Sequence, residues 1–208
     1  MRETAEEKYI RMTREEREYW DKGLTLAGID EAGRGPLAGP VFAGCAVISP
    51  DVRILGVDDS KKLSEKKREA LFEEILERAD FAGIGRAEPE EIDRVNILEA
   101  TKKAMERAAE GSHAHIYIVD SVKGLSLPGA ASPRNHADAD SYLVAAASIL
   151  AKVARDRLMR EMDERYPQYG FARHKGYGTA EHIAAIRKYG PCPIHRMTFI
   201  QKFLEDTP

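Results

Sequence analysis

The sequence predicts an α/β fold, a sheet covered by helices, and three observations predict it. Residues 24–30, 41–48, 81–87 and 116–120 are short apolar runs of strand length, two of them closing on carboxylates. Stretches with apolar residues at helical spacing separate and follow these runs. No internal repeat, low-complexity tract or linker interrupts the pattern over 208 residues, so a single domain is expected.

Each element has its own signal. Residues 3–22 mix charges of both signs and read as an exposed helix packing as an N-terminal arm. Residues 24–30 form a strand ending in Asp30, with Glu31 beyond it. Residues 33–39 hold three glycines and Pro36 and must turn. Residues 41–48, apolar and small, read as a buried strand. Residues 64–79 space Leu71, Ile75 and Ala79 helically behind Ser64, a suitable N-cap. Residues 81–87 follow as a strand, and 89–110 as one long helix with Ile92, Val95, Leu98 and Met105 inward. Residues 116–120, IYIVD, give the clearest strand. Residues 121–136, rich in Gly, Pro and Ser, read as a loop. Residues 141–166 form a long helix whose Ala145–Ala147 run permits close packing on the sheet. Residues 179–189 are a last helix, stopped by Gly190-Pro191.

Composition excludes some functions and leaves others. No apolar run of about 18 residues exists to cross a membrane, and the charged N-terminus lacks a signal-peptide core. Cys45 and Cys192 are too few and too separated for a disulfide framework, which predicts a reducing cytoplasm. A net charge of −3 does not point to nucleic acid, but its distribution does. Residues 171–202 carry Arg173, Lys175, Arg187, Lys188, Arg196 and Lys202 against Glu181 alone, interleaved with His174, Tyr177, Tyr189 and His195. Positive charge beside stacking rings suits a polyanion with exposed bases or sugars. Lys61 and Lys62 open a second basic cluster, in which Lys66–Arg68 read as solvated surface.

The carboxylates carry the chemistry. Asp30, Glu31 and Asp120 stand at strand ends, and a fourth acid, Asp138 or Asp140, stands at the start of the long helix. A donor set of oxygens alone selects a hard ion, Mg²⁺ or Mn²⁺, and two such ions can drive phosphodiester hydrolysis. Single aspartates are more often caps or salt-bridge partners. Asp30-Glu31, one residue ahead of Gly33-Arg34-Gly35, is not read that way. On a continuous helix Asp156 would lie roughly 27 Å from Asp138, so it is expected to pair locally with Lys152 or Arg160.

The stretch from Gly28 to Val41, GIDEAGRGPLAGPV, resembles the signature of the ribonuclease HII family. Asp59-Ser-Lys-Lys-Leu63, Ala146-Ala-Ser-Ile-Leu-Ala-Lys-Val153, His174-Lys-Gly-Tyr-Gly-Thr179 and His195-Arg-Met-Thr-Phe199 are similar to the motifs that follow it, in the same order. The resemblance implies a ribonuclease-H-like fold, a mixed five-stranded sheet flanked by helices with a C-terminal helical extension. It divides the chain into an arm (1–22), a catalytic core (23–170) and a substrate-binding segment (171–208). It implies catalytic, metal-binding acids at Asp30, Glu31, Asp120 and Asp138, holding two Mg²⁺ or Mn²⁺ ions. Gly33, Arg34 and Gly35 match a reader of the ribose 2′-hydroxyl, and Tyr177 matches a ring packed on the sugar at an RNA-to-DNA junction. Ser60, Lys61 and Lys62 match a phosphate-contacting loop. Ser148, Lys152, His174 and Lys175 match positions near the duplex. The implied partner is an RNA–DNA hybrid or a DNA duplex containing ribonucleotides, cut by a monomer on the 5′ side of the ribonucleotide. The chain departs from many relatives at His136-Ala137, where Lys-Gly is common, and at Ser121, where glycine is common.

Overall fold

A computed structural model describes residues 3–134 and 137–204. In chain order its elements are α1 (Ala5–Met12), α2 (Arg14–Trp20), β1 (Leu26–Ala32), β2 (Val41–Val47), α3 (Glu65–Arg78), β3 (Phe81–Ala87), α4 (Pro89–Val95), α5 (Ile97–Ala109), β4 (Ile116–Asp120), β5 (Ala130–Arg134), α6 (Ala137–Asp140), α7 (Tyr142–Arg165), α8 (Phe171–His174), α9 (Ala180–Tyr189) and α10 (Met197–Leu204). Short 3₁₀ turns stand at Ser60–Lys62 and Pro167–Tyr169.

Among the described residues five strands form one mixed sheet, ordered β3-β2-β1-β4-β5. The first three make an antiparallel meander, and β4 and β5 run parallel to β1. Alternation along β1 divides the core. Leu26 faces α7, together with Ala46 and Leu150, whereas Ala27 and Ile29 face α5, with Cys45 and Ala104. This central strand is buried on both faces, which is why its sequence is a continuous apolar run.

The alanine run does what its size permits. A Cβ added at Gly28 would lie 2.1 Å from the backbone carbon of Leu143, so α7 rests directly on β1. The C-terminal helices are held by backbone and side-chain ties. Gly39 N–H donates to Ile194 O, Arg196 N–H donates to Leu37 O, and Asp93 accepts from the N–H groups of Met197 and Thr198.

Several expectations need correction. The loop expected over 121–136 contains β5, whose Ala-Ala-Ser-Pro-Arg sequence lacks β-branched residues. As an edge strand it pairs on one side only, where Pro133 can be accommodated. The helix expected over 89–110 is two, parted at Asn96. That residue takes φ 73° and caps α5, its Oδ1 accepting from Leu98 N–H and Glu99 N–H. The N-terminal arm also breaks, at Thr13, and it is not merely exposed: Tyr9 and Met12 are buried, with Tyr9 edge-on to Tyr142 at 5.1 Å. Arg68 is not solvated surface; its guanidinium donates to the carbonyls of Ser60 and Leu63 and braces the lysine turn. His136 lies outside the described residues. Among those described, no helix is long and apolar enough to cross a membrane.

The β1–α7 contact leaves no room for a methyl group. Gly28→Ala should destabilise the fold by about 1–3 kcal/mol or more, as overpacking does, read as a lower urea midpoint. An unchanged midpoint would show that the helix rides higher than this spacing requires.

Candidate active site

The sheet order places the acids. The register aligns Ile29 with Val119 on parallel neighbours, so Asp30 and Asp120 follow side by side at the same end of the sheet. Asp30 shares the α7 face of β1 with Gly28 and is only 6% exposed. Asp120 Oδ1 accepts from Ala137 N–H (3.1 Å) and so anchors the start of α6. That short helix separates the two candidates for the fourth acid. Asp138 is buried within electrostatic range of Asp30, while Asp140 is solvent-facing, with Arg11 3.9 Å away. Ser141 is extended, so Asp138 does not lie on α7, and the continuous-helix spacing to Asp156 does not apply. Asp156 is nevertheless occupied locally, by Lys152 at 2.6 Å, with Arg68 at 4.0 Å. Arg160 instead bridges to Glu65 and Glu69 on α3.

Crowding of like charge shows in the acids' affinities for protons. Burial, with Glu31, Asp120 and Asp138 nearby, raises Asp30 well above the ordinary carboxylate range. Burial also raises Glu31, although the Arg34 guanidinium, 3.4 Å from Oε1, works against it. Glu31 Oε2 is buried with no hydrogen-bond partner among the described residues. Lys61 Nζ donates to Asp138 Oδ2 at 3.0 Å; partial burial opposes its charge, but Asp138 and Asp59 prevail and raise it.

Beside the acids runs the Gly33–Gly35 turn, braced from beneath by two arginines: Arg155, which the sequence did not single out, and Arg196, which was expected among the basic residues facing a polyanion but is fully buried. Arg155 donates to the carbonyls of Ala38, Pro40 and Lys175. Arg196 donates to those of Gly33 (2.5 Å), Arg34 (2.8 Å) and Gly39 (2.9 Å). Both are buried, and among the described residues neither forms a salt bridge. Burial, reinforced by Arg155, pushes Arg196 down to about 9. Gly33 has φ 95°, and a Cβ there would meet Arg155 Nε at 2.0 Å, so both conformation and space demand glycine. The signal for Arg196 was its place in the His195-Arg-Met-Thr-Phe199 match; for Arg155 there was none, since it is one of several charged residues on its helix.

The remaining candidates fall into two groups. Gly33, Arg34, Gly35, Ser60, Lys61, Lys152 and Tyr177 line one cleft of about 230 Å³ with Asp30 and Glu31. Tyr177 stands 48% exposed on its rim, and a Cβ on Gly35 would touch its ring. Lys62 is exposed nearby, 3.9 Å from Asp59. Ser148 and His174 lie beneath this surface. Ser148 Oγ accepts from Ser60 N–H, and His174 bonds Tyr169 O and Gly176 N–H. Lys175 folds back on Ala172 O and passes its own carbonyl to Arg155.

Residues 27–202 match the family model for ribonuclease HII. A ribonuclease HII of Acetivibrio thermocellus is 52% identical over 95% of this chain and 78% of its own length. One from Syntrophobacter fumaroxidans is 54% identical over 88% of this chain and 80% of its own length. The crystal structure of the ribonuclease H2 from Pyrococcus horikoshii superimposes with a TM-score of 0.73 at 30% identity, covering 88% of this chain and 98% of that one.

The donors fit a hard cation in kind. They are all oxygens, mutually repelling, with one buried oxygen unpartnered. Among the described residues no three His, Cys, Asp or Glu side chains yet converge on one point; Lys61 and Arg34 hold two of the acids apart. A divalent ion would therefore draw the acids together. In chelator, Asp30→Asn should raise the melting temperature at pH 8, because it removes a buried charge. A carboxyl raised in the folded state costs stability above its folded value, and that cost vanishes as pH falls to the ordinary carboxylate range. Adding Mn²⁺ at a hundredfold excess over its dissociation constant should stabilise the wild type by about 2.7 kcal/mol and the variant hardly at all. A wild-type melting temperature indifferent to Mn²⁺ would remove the case for a cation here.

Proposed function

The chain belongs to the ribonuclease HII family, and we propose that it hydrolyses the phosphodiester 5′ to a ribonucleotide, in RNA–DNA hybrids and at single ribonucleotides in duplex DNA, leaving a 3′-hydroxyl and a 5′-phosphate. The observation that carries this reading is the adjacency of the acids and the Gly33–Gly35 turn in one cleft. Asp30, Glu31, Asp120 and Asp138 would hold two Mg²⁺ or Mn²⁺ ions. Such ions, when bound, supply an activated water and neutralise the leaving 3′-oxygen.

The chain's own groups choose the bond. With the carbonyls of Gly33 and Arg34 turned down onto Arg196, the planar peptides turn the N–H groups of Arg34 and Gly35 the opposite way, to the cleft side. Two donors at close approach suit a ribose 2′-hydroxyl, the group that distinguishes RNA from DNA. Tyr177 offers its exposed ring face to the neighbouring sugar. Lys61, Lys62, Lys152 and the basic residues of the C-terminal segment from residue 171, apart from the buried Arg196, supply positive charge to the backbone phosphates without reading sequence. Lys61 is placed to exchange partners, from Asp138 to phosphate, once cations neutralise the acids. Ser148 and His174, being buried, serve by shaping the Ser60 and Gly176 turns.

The test is an end-labelled DNA duplex carrying one ribonucleotide, with Mg²⁺, Mn²⁺ or chelator. A metal-dependent cut directly 5′ of the ribonucleotide, absent from an all-DNA control, is expected. Cleavage of all-DNA duplex would indicate a DNA nuclease of the same architecture, and binding without scission a duplex-binding module. Asp120→Asn should lower the rate by about a hundred- to a thousandfold, the order seen when a group stabilising transition-state charge is removed, with duplex affinity retained. An active Asp120→Asn enzyme would refute the assignment of the acids.

A further inference from the structure

Under Tyr177 lies a chain of groups that the proposed chemistry does not use. Cys192 Sγ stands 3.1 Å from His195 Nδ1, His195 Nε2 stands 3.0 Å from His182 Nε2, and His182 Nδ1 stands 2.9 Å from the carbonyl oxygen of Tyr177. The rings of Phe171 and Tyr169 close around the two imidazoles, and His174 stacks on His182 at 4.5 Å. His182 is fully buried and His195 nearly so.

The ends of this chain dictate every proton in it. The Tyr177 carbonyl can only accept, so His182 carries its proton on Nδ1. At the other end His195 Nδ1 meets Cys192 N–H, which can only donate, at 2.9 Å and Cys192 O, which can only accept, at 3.3 Å; the carbonyl already accepts from His195 N–H, and the shorter contact leaves Nδ1 bare. A neutral His195 then carries its proton on Nε2 and donates it to the bare Nε2 of His182. One proton fits between the rings, and both imidazoles must be neutral. Burial favours that state, lowering His182 and bringing His195 down to about 4.

We infer that His182 and His195 are positioning residues: each locked in one tautomer, they fix the Tyr177 carbonyl and hold its ring in the pose that grips the sugar at a ribonucleotide junction. The peptide they hold belongs to a turn that is also tied by Leu37 N–H to Gly176 O, by Tyr177 N–H to His174 O, by Gly176 N–H to His174 Nδ1, and by Thr179 N–H, which shares the Tyr177 carbonyl at 2.8 Å. Without His182 the Tyr177 carbonyl keeps the Thr179 N–H two residues on but loses the buried side chain that ties it to α9, and the ring loses its fixed direction over Arg155, 6.0 Å from the ring centroid. The inference rests on the reading of Tyr177 as the sugar-packing residue.

The two positions make opposite demands on an amide replacement, which supplies the test. Asparagine places its NH₂ where histidine has Nδ1, and glutamine places it where histidine has Nε2. His182→Asn should therefore preserve the donor to Tyr177 O, and His182→Gln should lose it. At residue 195 the order reverses: His195→Gln can still donate to His182, and His195→Asn cannot. On the single-ribonucleotide duplex, His182→Gln and His195→Asn should raise KM about tenfold, the size of one lost hydrogen bond, with kcat little changed, while His182→Asn and His195→Gln stay near wild type. Tyr177→Ala should raise KM at least as much, and adding His182→Gln to it should have no further effect. Long-range ¹⁵N correlation spectra of the wild type should show the Nδ1–H tautomer for His182 and Nε2–H for His195. If Tyr177→Ala raises KM and His182→Gln does not, the positioning role is overturned alone. If Tyr177→Ala leaves KM unchanged, the reading of Tyr177 falls and the inference with it. Should both 182 variants fold poorly, the 195 pair and the spectra decide, and equal effects at 195 or reversed tautomers overturn it.

Discussion

Two buried guanidinium groups without a carboxylate partner are the constraint on which the rest of this molecule depends. A buried cation must find acceptors or lose several kcal/mol, and Arg155 and Arg196 find theirs in six backbone carbonyls. Five belong to residues 33–40 and one to Lys175. The arrangement fixes the turn beside the acids from below, and it leaves the opposite edge of the same peptides to the cleft. Specificity in this reading is therefore a property of backbone held in place by buried side chains, and the exposed residues act on what those carbonyls have already determined.

The acidic centre is the complementary case, negative charge gathered where the sheet cannot satisfy it. Asp30 and Glu31 are raised by burial and by their neighbours, and the nearest cations, Arg34 and Lys61, reach only two of the acids. Such an assembly is poorly balanced by itself. In the proposed reading divalent cations would relieve that imbalance, and the same cations would suit the charge developing on a cleaved phosphodiester.

Much of this was legible in the sequence, for identifiable reasons. β1, β2, β3 and β4 are apolar runs buried on at least one face, and that burial writes itself into composition. β5 was hidden because an edge strand needs only one ladder and tolerates Ala, Ser and Pro. The break at Asn96 was hidden because Pro89 and Ile97 both suit a helix, and the positive φ of one asparagine leaves no trace in periodicity. At the site, Asp30, Glu31 and Asp120 stood out by their places at strand ends, while spacing left Asp138 and Asp140 level: the resemblance favoured Asp138, and α6 buries Asp138 and exposes Asp140. Arg155 was illegible because its meaning lies in carbonyls more than 100 residues away.

That separation also orders the molecule in time. Arg196 reaches back 157 to 163 residues to Gly39, Arg34 and Gly33, whereas the sheet around the acids is complete once β3, β4, β5 and α7 have joined β1 and β2. Contacts of such long range form late, since the loop they close must first lose its entropy. A folding chain thus holds the Gly33–Gly35 turn without its second arginine until the segment carrying residue 196 has packed back on it. In the proposed reading the acids can gather before the turn that would choose the bond is pinned.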